Sequence, residues 1–226
     1  VKHIPVIYIE NYKSLVHKTK NMPWPDKPKT IFTSNSIWED DLFKVWAAHK
    51  VENGSIMVLG QHGGHYGTTS LNFSERHEFK ISNKWLSWGW SDDNEDKVIP
   101  VGNIKVIGKK QKHNSNGVGL IVGLSIPRFF YQMQCLPMAE QYLSYLEDQF
   151  DFYDYLPVEI QREIIIKLGG EDHNWSTKVR WEDRFKDVNI YKSNHSFKKI
   201  VRDSRVVIST YNATTYLESF VHDFPT

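Results

Sequence analysis

Apolar and polar positions alternate along the 226-residue chain in blocks that read as strands and helices taking turns. Pro5–Ile9 is a short apolar run and predicts a buried strand. Asn11–Lys20 has helical spacing and is closed by Pro23 and Pro25. Lys29–Thr33 is rich in β-formers and runs into Ser34-Asn35-Ser36, a turn of helix-capping residues. From Ile37 to Val51, Leu42, Val45 and Trp46 fall on one helical face, and Asn53-Gly54 ends the helix. Ser55–Leu59 is an apolar β-run that opens into Gly60-Gln61-His62-Gly63-Gly64-His65-Tyr66-Gly67. Strand, helix, strand, helix, strand and glycine loop is the order expected of a parallel sheet flanked by helices.

Glu78–Trp90 reads as extended, ending in Trp88-Gly89-Trp90, and Ser91–Asp96 as an acidic surface turn. Val98–Gly102 is a further strand. The basic, Asn-rich stretch 105–117 reads as a linker, and its lysines Lys109, Lys110 and Lys112 as solvated. A second α/β succession follows: strand Val118–Leu124, helix Leu136–Phe150, helix Pro157–Leu168 with proline in its first turn, and short strand Val188–Tyr191. Helix Phe197–Asp203, strand Arg205–Ile208, capping turn Ser209–Asn212 and helix Ala213–His222 complete it. The expected fold is therefore α/β, with Rossmann-like parallel units at 1–104 and 118–226 joined by 105–117. Each unit is expected to lack part of a full domain.

Composition narrows the function more than the fold. Hydrophobic residues make up 40% and charged residues 24%, enough to form a packed core. The formal net charge of +1 gives no reason to expect a nucleic-acid partner. The single cysteine, Cys135, cannot form an internal disulfide or a cysteine-based zinc site, and its neighbours Met133, Leu136 and Met138 mark it as a half-buried core thiol. Val1-Lys2-His3-Ile4-Pro5 is not a signal peptide, and no apolar run approaches the roughly 20 residues that span a bilayer. The expectation is a cytoplasmic protein. The chain starts without Met and stops at Phe224-Pro225-Thr226, where a strand or turn is starting, so a fragment of a longer protein is expected.

Three turns could carry chemistry. The first is the glycine loop at 60–67. Glycines let the backbone approach a ligand, ligands of open parallel sheets bind at strand carboxyl ends, and His62 there can act as a general base near neutral pH. Gln61, Gly63, Gly64, His65 and Tyr66 would shape an acceptor pocket; the alternative is a tight turn with surface histidines. His62 and His65 also have HxxH spacing near His77, Glu75 and Glu78, but the glycines deny the helix such a metal site needs, and no metal or other cofactor is assigned. The second is Ser209-Thr210-Tyr211-Asn212-Ala213-Thr214-Thr215, with Glu218 a turn on. A hydroxyl-rich helix start can hold a phosphate or simply cap the helix. The third is Ser125-Ile126-Pro127-Arg128, where Arg128 could pair with a diphosphate or lie on the surface. Trp85, Trp88 and Trp90 read as packing residues, and Trp175 and Trp181 as packing over a helix end. Asp151, Asp154, Glu171 and Asp172 read as solvated loop charges.

GQHGGHYG at 60–67, WLSWGW at 85–90, GLIVGLSIPR at 119–128 and STYNATTYLESFVHDFPT at 209–226 resemble the bacterial O-antigen and surface-polysaccharide transferase family, from about Pro5 to the end. The His-Gly turn is also similar to that of capsule sugar transferases and CDP-glycerol glycerophosphotransferases. The resemblance implies a GT-B glycosyltransferase architecture, with a donor held by the second unit and an acceptor approaching the first, in a cleft between them. It implies His62 as the base and Ser125, Arg128, Ser209, Thr210, Asn212, Ala213, Thr214, Thr215 and Glu218 as donor-binding residues. The partners it implies are a nucleotide-activated sugar and a polysaccharide or lipid-linked glycan acceptor, at the inner face of the plasma membrane. Compared with that family, the chain lacks an extended N-terminal part and the last elements of the donor domain, so the fragment itself need not be active.

Transfer of a sugar or sugar acid is thus the leading expectation. Polyol-phosphate transfer from a CDP-linked donor is the enzymatic alternative. A non-catalytic nucleotide-sugar or glycan-binding module would keep the helix-start cradle without needing His62. A metal hydrolase built on His62 and His65 would carry tightly bound zinc.

Overall fold

The computed structural model describes residues 3–104, 106, 108, 112, 114–129, 136–192, 197–212 and 214–226, the Phe197 side chain excepted. Lys109, Lys110, Cys135, Ala213 and much of 105–117 lie outside them. The chain divides into two compact units, residues 1–62 with 72–104 and residues 63–71 with 105–226.

The first unit begins with a 3-10 turn, Val6–Tyr8, where a buried strand was expected; none of its residues is buried. Local bonds explain the difference. The N–H groups of Ile9 and Glu10 close on the Val6 carbonyl at 3.0 Å, and the Tyr8 hydroxyl is bonded to Asp41. Helix α1 (Tyr12–Thr19) and strand β1 (Thr30–Thr33) follow as expected. The single helix expected at 37–51 is broken into α2 (Ser36–Glu39) and α3 (Asp41–Glu52). Asp40 leaves the helical region (φ −97°, ψ 94°) and its carboxylate takes the Phe43 N–H at 2.9 Å, capping α3. Strand β2 (Ile56–Gly60) leads through the glycine loop to α4 (Phe73–Ile81), then to strands β3 (Lys84–Ser87) and β4 (Val98–Pro100). The extended reading of 78–90 is therefore corrected at its start, since residues 78–81 finish a helix. Asn72 caps that helix by accepting the Glu75 N–H at 3.2 Å. The strands pair in parallel, in the order β1-β2-β3-β4. Ile31, Met57, Leu59 and Trp85 are buried, whereas Phe32 is 52% exposed.

In the second unit, β5 (Val118–Val122) and α5 (Gln141–Asp154) match the expected elements approximately. The helix expected at 157–168 is only one turn, α6 (Val158–Gln161), followed by strand β6 (Ile164–Lys167). Three consecutive β-branched isoleucines favour a pleated strand over a helix, and Ile164 and Ile166 are the buried pair of its alternation. Val188–Tyr191 contributes only a bridge, Ile190 to Ile166. An unforeseen helix α7 (Thr177–Arg184) precedes α8 (Phe197–Arg202), strand β7 (Ser204–Ser209) and α9 (Thr214–Val221). The sheet is parallel, in the order β6-β5-β7.

This sheet is buried on both faces. Ile121 packs with Leu146, Phe150, Ile164, Ile166 and Trp181 on one side. Leu120 and Val122 pack with Ile200, Val201, Val207 and Phe224 on the other. Strand alternation sends neighbours in β5 to opposite layers, as in doubly wound folds. The molecule is thus α/β, with two parallel sheets in Rossmann-like units. Among the described residues no helix is long and apolar enough to cross a membrane.

Candidate active site

Strand β2 delivers Gln61 and His62 just past its last residue, Gly60. A Cβ on Gly60 would lie 3.1 Å from the Phe32 ring and 3.2 Å from Ser34 Oγ, so glycine lets the ends of β1 and β2 close up. The His62 side chain keeps 30% of its exposure, and its Nδ1 stands 4.0 Å from Oε1 of Glu78, a fully buried carboxylate on α4. Two indoles hold that carboxylate. Trp38 Nε1 donates to Oε1 at 3.0 Å, and Trp85 Nε1 donates to Oε2 at 2.8 Å. Burial pushes the His62 imidazole below its ordinary value of 6.5, and outweighs a hydrogen bond to the Ser34 backbone that pushes it up. His62 is therefore largely neutral at pH 7 and able to accept a proton.

Gln61 faces inward, at 4% exposure. Its backbone N–H donates to Leu86 O at 2.9 Å and extends the ladder past β2. Its side-chain oxygen accepts the Trp88 N–H at 2.8 Å and the Trp90 Nε1–H at 2.9 Å. That clamp fixes the Trp88-Gly89-Trp90 turn, whose central glycine has φ +110°. Residues 63–71 belong to the second unit. There Tyr66 is 1% exposed and lies against the His65 ring at 4.3 Å, and Tyr216 Oη donates to Gly64 O at 3.3 Å. A Cβ on Gly63 would come within 2.9 Å of the His65 ring. Among the described residues no group of three or more His, Cys, Asp or Glu side chains gathers as metal ligands would.

Within the second unit, strand order reverses about β5, with β6 on one side and β7 on the other. Open α/β sheets bind ligands outside the carboxyl ends of the strands that flank such a reversal. Ser209, Thr210, Tyr211 and Asn212 leave β7 at that end, and with Tyr216 and Phe220 they line an open pocket of about 520 Å³. Ser209 Oγ is buried and has no hydrogen-bond partner among the described residues. Thr210 has its proton engaged. Its hydroxyl donates to Val122 O at 2.7 Å and receives the Tyr145 hydroxyl, whose oxygen accepts the Leu124 N–H at 2.8 Å. Thr214, Thr215 and Glu218 sit partly exposed on α9.

The third turn engages the loop after β6. Ser125 Oγ donates to Glu171 O at 2.6 Å, and Arg128 packs over the Trp175 ring at 5.4 Å while Nη1 donates to Asn174 O at 3.4 Å. Asp172, expected to be a solvated charge, caps α7 by accepting the Ser176 and Thr177 N–H groups at 2.7 Å each. Trp175 and Trp181 are core residues, at 6% and 0% exposure.

The family model for LIC12162 family transferases matches residues 1–226. The chain belongs to that family. A search of curated proteins finds no match. The LIC12162 family member is thus a transferase. The sequence singles out His62 but not the buried residues beside it. Trp38 had no assigned role, and Glu78 stood only at the start of an extended stretch. Asn72 followed by Glu75 was the available signal, because that pair reads as a helix start and places Glu78 on a helix. The approach of Trp38 and Trp85 to Glu78 joins residues distant in sequence and has no local signature.

Proposed function

We propose that this transferase moves a sugar or sugar acid from a nucleotide-activated donor to a bacterial surface-polysaccharide acceptor, as a glycosyltransferase of GT-B type at the inner face of the plasma membrane. The observation that carries the reading is His62, a neutral, half-exposed imidazole at the carboxyl end of β2. His62 takes the proton of the acceptor hydroxyl. The acceptor oxygen forms a bond to the donor's anomeric carbon, and the bond from that carbon to the diphosphate oxygen breaks. The nucleoside diphosphate leaves with the electron pair.

The donor is assigned to the second unit. The Ser209 hydroxyl, unpartnered among the described residues, the pocket beside it and the start of α9 at Thr214 and Thr215 support that assignment. Thr210, tied to Val122 and Tyr145, shapes the cradle instead of donating to phosphate.

A thermal-shift screen of nucleotides and nucleotide sugars, followed by product analysis, tests the proposal. The expected result is stabilisation by one nucleotide-sugar class and a product without the donor's phosphate. A product that retains phosphate would move the reaction to polyol-phosphate transfer. Absence of any nucleotide response would overturn the donor assignment.

A further inference from the structure

We propose that the carboxyl edge of the first sheet is a glycan platform, on which the indole faces of Trp88 and Trp38, on either side of His62, stack against sugar rings of the acceptor. The proposal rests on the reading of that edge as the acceptor site and adds how the acceptor is recognised. The strands lie in the order β1-β2-β3, and each leads to one ring at the edge. Trp38 stands in α2 just after β1, His62 just past β2, and Trp88 directly after β3. Gly60 pairs with Leu86, so continuing both strands at the same register sets His62 beside Trp88, about 5 Å apart at the backbone. Trp38 neighbours His62 on the other flank, because Trp38 Nε1 and His62 Nδ1 approach the same oxygen of Glu78, at 3.0 and 4.0 Å.

Both tryptophans are held in place while part of each indole stays open. Trp88, expected as a packing residue, is only half-buried, whereas Trp85 is 0% exposed. Gln61 grips the Trp88 backbone N–H and the Trp90 indole, and Trp90 lies on Trp85 at 5.4 Å, so these contacts fix the turn and leave the Trp88 ring out. Trp38 is 37% exposed and is anchored through its indole N–H. Rings already fixed lose little conformational freedom when a ligand covers them. The edge is also uncharged. None of the three residues that follow each of the four strands is Lys, Arg, Asp or Glu. A phosphate-bearing ligand is best held by cations, which this edge does not offer. A sugar ring has an apolar C–H-bearing face, and that face meets the electron-rich face of an indole.

The test is a calorimetric titration of the full chain with surface polysaccharide of the producing bacterium, freed of its lipid. The unmodified protein should bind it. Trp88→Ala should weaken binding about tenfold, whereas Trp88→Phe, which keeps an aromatic face, should stay within about threefold. Trp88→Ala retains the backbone N–H that Gln61 grips, so the turn should survive. Should that variant not fold, the indole N–H resonances of the unmodified protein decide. The Trp88 resonance, assigned by its loss in Trp88→Phe, should move when polysaccharide is added, and that of the buried Trp181 should not. Equal affinity in folded Trp88→Ala, an unmoved Trp88 resonance, or no binding at all overturns the proposal. Failure of the transferase reading looks different: nucleotide sugars would then leave thermal stability unchanged, whatever the polysaccharide does.

Discussion

A half-buried imidazole that is proposed to act as a base must be neutral to take a proton, and that leaves a definite mark on the pH dependence of the rate. Burial lowers the proton affinity of His62, so the acidic limb of kcat/KM should lie below pH 6.5. Activity should be lost as pH falls through that limb and should level off as pH rises above it. A limb centred at or above 6.5 would mean that another group titrates. His62 itself was legible in the sequence because glycines cluster around it directly after an apolar run. Gln61, Tyr66 and Arg128 were named from the same kind of pattern, but their settings were not legible. Gln61 clamps a tryptophan turn, Tyr66 is buried and Arg128 lies over Trp175. A sequence gives residue types near a strand end; which way each side chain turns is decided by neighbours that arrive from elsewhere in the chain.

At the scale of elements, β5, α5 and the end of β7 are joined by one directed chain of hydrogen bonds, from Leu124 N–H to Tyr145, then Thr210, then Val122 O. Burial, opposed by these bonds, pushes the Tyr145 hydroxyl up to about 12 from an ordinary value of 10. The folded state therefore keeps this proton where the unfolded chain releases it. Its stabilisation is complete below pH 10 and is lost as pH rises toward 12, on the order of 2 kcal/mol in all. Tyr145→Phe should lose about 1–3 kcal/mol at neutral pH, through the unpaired Leu124 N–H, and should show a shallower decline between pH 10 and 12. Urea unfolding at several pH values would check both; an unchanged alkaline slope would contradict the account. Elements with strong local signals, such as α1, β2 and β5, were legible. The errors fall where local signals conflict. A proline-led run of apolar residues suggested a long helix, while the isoleucines of β6 pair with β5, a partner that only the tertiary structure reveals.

For the whole molecule, the alternation of strands and helices was enough to give α/β class and parallel sheets. Strand order was not legible, because β5 pairs with β6 and β7 through partners distant along the chain, as when Val122 meets both Lys167 and Ser209. The proposed function divides the tasks: proton removal falls to His62, which lies in the first unit, and donor binding to the end of β7, which lies in the second. The most direct measurement is steady-state turnover of His62→Ala together with donor affinity. Losing a general base costs about 10²–10⁴ in rate. Turnover should fall by that factor while nucleotide-donor affinity stays within about twofold of the unmodified protein, a 0.4 kcal/mol difference. Near-normal turnover in His62→Ala would contradict the catalytic assignment and leave the glycine loop a structural turn.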